Sequence, residues 1–447
     1  MSMRQLPREP ADWLTTPFLH FVRIEATAGC VLFLSALVAL VVSNTPWSAD
    51  YLGLWNVRVG ILWGDVEFAR SVKHWINDGA MTLFFFVVAL ELKRELVLGE
   101  LRNSRKALLS VAAAAGGMSV PVLLFLAVAH AGEGAHAWGV VTATDTAFVI
   151  GCLALLGSRI PHGLRLFLLS LAIFDDIGAI TVIAVAYGKQ IDWMAIAGAV
   201  SGLGGVVLLR MLGVRSFLVF FAVGLCIWLA VDASGIHPTL TGVVLGAMTP
   251  SRSWVSDRRL QAILGVITAY PEGTHWSGDT QDRADLRRAG VATREALSPL
   301  ERLEVALHPW VAFLLLPLFA LANAGFVVPS LQVDWTLSGA IVLGLLCGKP
   351  IGVVLFSYLA VRMRLAVLPD GLTWPLVTGG ALLTGIGFTM SLLMAELALE
   401  PGSIASAKLG ILGASLLAAI AGVSVLAVVG APKRSDGVSM EVPLRVE

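Results

Sequence analysis

Two adjacent carboxylates, Asp175 and Asp176, stand in LAIFDDIGAI (171–180), inside a run from Gly163 to Tyr187 whose only other charge is Arg165. A charged Asp at such a depth in lipid costs roughly 2.5–3.5 kcal/mol on insertion scales, so something must offset it. Both acids lie about 12 residues from either end of the run, or ~18 Å at 1.5 Å per residue. Asp145, in VVTATDTAFVIG, is centred in the same way in 134–156, and Lys349, in LLCGKPIG, in 338–361. Three carboxylates and an ammonium at one depth read as a polar site buried between helices, able to hold a cation or a proton.

A membrane Lys often snorkels to the surface, but a ~6 Å side chain does not reach out from ~18 Å. Adjacent helical residues point about 100° apart, so Asp175 and Asp176 cannot both face one ligand squarely. One division has Asp176 facing a cavity with Asp145 while Asp175 pairs with Lys349. Pairing would offset much of the insertion cost.

The elements that must carry these charges follow from composition. The chain has 447 residues, 57% hydrophobic and 14% charged, against about 25% charged in a soluble domain, which makes it a polytopic membrane protein. Its net charge of zero argues against nucleic-acid binding, which needs a basic patch. Apolar runs fall near 24–43, 78–99, 106–130, 134–156, 163–187, 193–212, 215–234, 236–249, 303–325, 338–361, 373–398 and 405–430. These predict an all-α fold of about twelve transmembrane helices at ~20 residues each, with 236–249 short for a full crossing. About 25 of the Lys and Arg residues fall on the face shared by the two termini, which predicts both termini in the cytoplasm: 1–23, the membrane domain 24–430 and a tail at 431–447.

The N-terminus mixes acids and prolines with its basic residues and does not open as a signal peptide. The cysteines, Cys30, Cys152, Cys226 and Cys347, lie far apart in apolar segments and are expected to be small buried hydrophobes. Residues 55–70 alternate around Trp63-Gly64-Asp65, reading as an external β-hairpin whose edge could pair with a second copy. Residues 251–298 form a polar loop, expected to be partly disordered or loosely helical. The next helix should begin at Ser298, with Pro299 at its first position and Glu301 closing a capping box.

Two segments are poor continuous helix. Thr142, Thr144 and Thr146 flank Asp145 with β-branched hydroxyl side chains that compete for backbone groups. In GALLTGIGFTMS (380–391), Gly385 and Gly387 bracket the centre of the run, where close helix packing is the other explanation for glycine. Each segment is the middle helix of a three-helix unit, 106–130/134–156/163–187 and 338–361/373–398/405–430. The units start on opposite sides of the membrane, which makes an inverted repeat with a broken middle helix in each.

INDGAMTLFFFVVALELKREL (76–96), TATDTAF (142–148), LAIFDDIGAI, SGIHPTL (234–240), RLEVALHPWVAFLLLPLFALANAG (302–325), GKPIG (348–352) and TGIGFTMS (384–391) together resemble the NhaA family of sodium/proton antiporters, a family of the inverted-repeat transporters. The resemblance implies that Asp176 and Asp145 form the cation and proton site, binding Na⁺ (or Li⁺), with Thr144 beside it, and that Asp175 pairs with Lys349. It implies a homodimer through the hairpin, a bacterial inner-membrane location, and no cofactor beyond the transported ions. The family's cytoplasmic pH-response cluster maps onto Glu91, Glu304 and His308, with His237 a further candidate. Glu304 and His308 are i,i+4 and share a helix face, and His titrates near neutrality; a helix-end ion pair would give the same pattern. Val305 stands where some members carry another His and Glu301 where some carry Lys, and the long 251–298 loop is a local difference.

Other functions fit less well. DDIGA lacks the further Asp of a DDxxD diphosphate motif, no GxGD signature accompanies the acids, and no channel-filter motif is present. A sodium symporter of organic anions on a related inverted-repeat fold is the alternative. It would need cation-coordinating polar groups at a helix crossing, but not the acid pair with a mid-membrane Lys. The reading is therefore an electrogenic, pH-regulated exchanger of cytoplasmic Na⁺ for external H⁺.

Overall fold

A computed structural model describes residues 25–430, apart from 64–65, 98, 100–103, 130–132, 189–190, 215, 254, 269–279, 328–332 and 370. The expected terminal segments 1–23 and 431–447 lie outside the described residues. Each of the twelve apolar runs falls on a helix or a bent helix pair. By length and composition, seven described helices can cross a membrane, or nine if each bent pair is one span. The seven are Val72–Val97, Ala107–Val128, His162–Ala186, Trp193–Met211, Pro299–Ala324, Trp335–Arg362 and Pro401–Val429, and Thr27–Val42, Phe217–Ala233 and Thr239–Met248 are shorter apolar helices. Each of these three holds fewer described residues than the ~20 of a full straight crossing.

Both expected breaks are present. A 3₁₀ segment, Glu133–Val141, and the helix Thr146–Leu156 bend at residues 142–145, and Trp374–Thr384 and Phe388–Ala398 bend at 385–387, with angles of 42° and 43°. The hairpin forms from Arg58–Trp63 and Val66–Ser71, antiparallel, with Trp63 opposite Val66. Ser71 then caps the 72–97 helix by accepting from the His74 N–H at 3.1 Å. The 251–298 loop is more ordered than its polarity implies. Asp257–Thr268 and Thr280–Ala296 are helices packed on each other. Beyond them Ser298 and Glu301 make the expected capping box around Pro299.

The helix that carries Lys349 is seated by glycine. It has a π-helical turn at Gly344–Gly348, just before Pro350, whose ring removes an N–H and displaces the carbonyl four residues back. Here the 335–362 helix lies directly on the 104–128 helix. A Cβ on Gly352 would collide with the Gly116 carbonyl oxygen, and one on Gly348 would come within 2.6 Å of Pro121 Cα. All four cysteines are free, but only Cys152 is buried; Cys347 is half-buried, and Cys30 and Cys226 are exposed.

Gly352→Ala should therefore destabilise the protein by about 1–3 kcal/mol through overpacking, whereas Gly339→Ala, with nothing within 4 Å of the added atom, should be neutral. Thermal unfolding of the purified variants in detergent measures the difference. Equal melting temperatures for the two would remove the close crossing as the element that seats Lys349.

Candidate functional site

The two breaks meet, and each supplies what the other lacks. An interrupted helix exposes N–H groups at one new end and carbonyls at the other, none of which lipid can satisfy. Asp145 N donates to Ile386 O at 2.7 Å. Its side chain caps Thr146–Leu156 by accepting from Phe148 N at 3.1 Å, through Oδ1. Through Oδ2 it also accepts from Thr389 N at 3.0 Å and Thr389 Oγ1 at 2.6 Å. One carboxylate thus serves the N-terminal ends of both half-helices, where the helix dipoles favour negative charge. Ser391 Oγ donates to Val140 O, and Thr384 O accepts from Thr144 Oγ1 at 3.0 Å. Gly385 and Gly387 have ordinary negative φ values; what glycine provides at Gly385 is space, because a Cβ there would lie 2.5 Å from Leu345 O. Both explanations for these glycines, a break and close packing, hold.

Lys349 lies beside the crossing with no solvent exposure, and its Nζ is 2.7 Å from Asp175 Oδ2, on an equally buried residue. The single hydroxyl proton of Thr144 has two acceptors in reach, this oxygen at 2.7 Å and Thr384 O at 3.0 Å, and Lys349 Nζ also contacts Thr144. The hydroxyl of Thr144 therefore belongs to the Lys349–Asp175 pair and to Thr384, and makes no bond to Asp176. Asp176, on the next position of the helix, is 4% exposed and its Oδ1 is buried with no hydrogen-bond partner. The charges of Asp175, Glu91, Asp145 and Lys349 all act on it. Thr146 Oγ1 and Asp175 Oδ1 are likewise buried without a partner. Buried oxygens left unsatisfied near several carboxylates are suited to a ligand that brings positive charge, a proton or a small cation.

The pH-response candidates separate into two groups. Glu304 is buried and receives Arg94 Nη1 at 2.6 Å, and the charges of Glu91 and His308 act on it. His237 is elsewhere: its Nε2 is 3.7 Å from Asp78 Oδ1, near the hairpin. Asp78 and Glu91 share the 72–97 helix but stand 13 residues apart, which is ~20 Å. His237 therefore does not join the Glu91–Glu304–His308 group. Its distance from them depends on how the 234–240 turn packs, which the sequence motif does not encode.

Sequence reasoning missed Thr389 and Arg94, and named Thr146 for the break but not for its buried hydroxyl. Thr389 follows the second break by two residues, in the first turn where a hydroxyl can serve a cap. Arg94 lies one turn from Glu91 and could have been paired with an acid by its position at the helix end.

Mid-membrane carboxylates held where two broken helices cross define a secondary-transporter architecture, in which interrupted helices place dipole ends and backbone groups at the ion site. The profile of the family described as Na⁺/H⁺ antiporter 1 matches residues 19–426. The chain is 58% identical to the Na⁺/H⁺ antiporter NhaA of Rhizobium meliloti (strain 1021) over 433 residues, covering 97% of this chain and 99% of that protein. It is 56% identical to the Na⁺/H⁺ antiporter NhaA 3 of Acidiphilium cryptum (strain JF-5) over 98% of this chain and 95% of the relative. It is 50% identical to the Na⁺/H⁺ antiporter NhaA 2 of Vibrio vulnificus (strain CMCP6) over 94% of each. The chain belongs to the Na⁺/H⁺ antiporter 1 family.

Removing one partner of a buried pair leaves an uncompensated charge, so Lys349→Ala should cost about 3–5 kcal/mol. The double variant Lys349→Ala/Asp175→Ala should recover part of that loss. Melting temperatures in detergent test this; a double variant less stable than Lys349→Ala would contradict the pairing.

Proposed function

We propose that the protein exchanges cytoplasmic Na⁺ (or Li⁺) for external H⁺ across a bacterial inner membrane. The observation that carries the reading is the buried, unpartnered Oδ1 of Asp176 beside the crossed half-helices. In this account Na⁺ and protons compete for the Asp176 carboxylate, with Asp145 as the second acid of the site. Either ligand discharges the centre, and the discharged site is re-exposed on the other side by alternating access of the two repeat halves. Competition for one carboxylate is what makes the process exchange rather than symport. The organic-anion alternative gives no role to a Lys349–Asp175 pair with the Asp176 carboxylate left unpartnered beside it.

The membrane arrangement belongs to the same proposal. Twelve spans, in two inverted three-helix repeats with both termini cytoplasmic, agree with the distribution of Lys and Arg and with the two matched breaks. The hairpin offers its strand edges to the same hairpin of a second copy, giving a homodimer. Glu91, Glu304 and His308 set the pH response, supported by the Arg94–Glu304 ion pair at 2.6 Å and its charged surroundings. Lys349 acts as a fixed countercharge to Asp175, so the net charge moved in each cycle comes from protons carried by Asp145 and Asp176 together against one Na⁺.

Asp176→Asn should nearly abolish Na⁺-dependent dissipation of a pH gradient in inverted vesicles while leaving normal expression, because an amide neither titrates nor carries charge. Near-normal exchange at saturating Na⁺ would remove Asp176 from the site. Lys349→Arg keeps the charge and is effectively always protonated; it should still exchange ions and give current on a solid-supported membrane. Exchange without current would make Lys349 a proton carrier instead. His308→Ala should displace the activity–pH curve without lowering the maximum rate, and loss of activity at every pH would assign His308 a structural role.

A further inference from the structure

At the hairpin end, the first turns of the 72–97 helix meet the end of the Phe217–Ala233 helix, and metal-ligating side chains from both gather there. His74 and Asp78, four residues apart on one helix face, approach Asp232 so that one ligand atom from each lies within 4.8 Å of the others. His74 Nε2 is 3.0 Å from Asp78 Oδ2, yet that buried nitrogen makes no hydrogen bond. The two atoms are close but wrongly directed for donation. Asp78 is 6% exposed, and its two oxygens face His74 Nε2 at 3.0 Å and His237 Nε2 at 3.7 Å. Two ligands of a tetrahedral zinc ion, each bonded at 2.0–2.1 Å, stand about 3.3 Å apart, so the approach has the spacing of two atoms sharing one ion.

We propose that His74, Asp78 and Asp232 form a binding site for a first-row divalent transition ion of the Zn²⁺ type, with His237 at its edge. The imidazole nitrogen selects this class over Na⁺, Mg²⁺ or Ca²⁺, which prefer all-oxygen ligands. Two carboxylates in a largely buried setting supply charge that a dication offsets. Arg70 holds Asp232 through Oδ2 at 2.8 Å, and a carboxylate retains a second oxygen for the metal. His237 Nδ1 lies 2.7 Å from Thr239 Oγ1, which orients the ring with Nε2 3.7 Å from Asp78 Oδ1. A hydrogen bond on one ring nitrogen is the usual way a metal-binding imidazole is aimed. The bound ion would fasten the outer turn of the 72–97 helix to the end of the 217–233 helix. The site shares no residue with the Asp145–Asp175–Asp176–Lys349 centre and does not rest on the exchange reading.

The test is Zn²⁺ binding to the full-length protein, purified in detergent and stripped with a chelator, followed by equilibrium dialysis. The wild type should bind Zn²⁺, and His74→Ala and Asp232→Asn should each weaken that binding at least about tenfold. Na⁺/H⁺ exchange of His74→Ala, measured with chelator present, reports that the variant is folded. Absence of Zn²⁺ binding by the wild type overturns the proposal. So does unchanged affinity in the two variants, which would place any bound metal elsewhere.

Discussion

A helix interrupted inside hydrocarbon leaves backbone N–H and carbonyl groups with no water to receive them, and each costs several kcal/mol if left alone. This chain carries two such interruptions, and they are tolerable only because they cross. Asp145 answers the N-terminal ends of both second halves, and Thr144 and Ser391 answer carbonyls of the first halves. The crossing is therefore a mutual requirement rather than two separate defects. Neither break could persist if the other were moved by a turn, which explains why the glycine contacts that set helix spacing, at Gly352 and Gly385, are so close.

Charge is distributed around that crossing by the same logic. Asp145 stands at positive helix ends, and Lys349 lies by Thr144, which bonds the C-terminal carbonyl of Thr384. Lys349 and Asp175 neutralise each other in full burial. What remains is Asp176, next to the pair in sequence, with an oxygen that nothing among the described residues satisfies. A protein that merely needed stability would have no reason to leave this oxygen bare; a carrier needs a site whose ligand can leave.

Much of this was legible in the sequence because hydropathy and capping are local. The depth of the four charges, the two breaks and the Ser298–Glu301 cap follow from residues close in the chain. That the two acids would divide between cavity and cation could be argued because about 100° separates neighbours on a helix; that Asp175 is the one paired with Lys349 was implied by the family resemblance. The Thr389–Asp145 bonds were not legible, since they join residues 244 apart through a crossing whose geometry no local pattern encodes. His237, only a further candidate for the group of Glu304 and His308, packs near Asp78 for the same reason. The expectation for the cysteines failed in another way: an apolar segment does not say which of its residues are covered, and Cys30 and Cys226 are exposed.

The central claim is that Na⁺ and protons contend for one carboxylate at this crossing. The most direct measurement is equilibrium binding of radioactive Na⁺ to the purified protein in detergent across a range of pH at constant ionic strength. If binding displaces a proton from Asp176, apparent Na⁺ affinity should fall about tenfold for each unit of pH decrease on the acid side, and binding should vanish in Asp176→Asn. An affinity that does not change with pH would contradict the account.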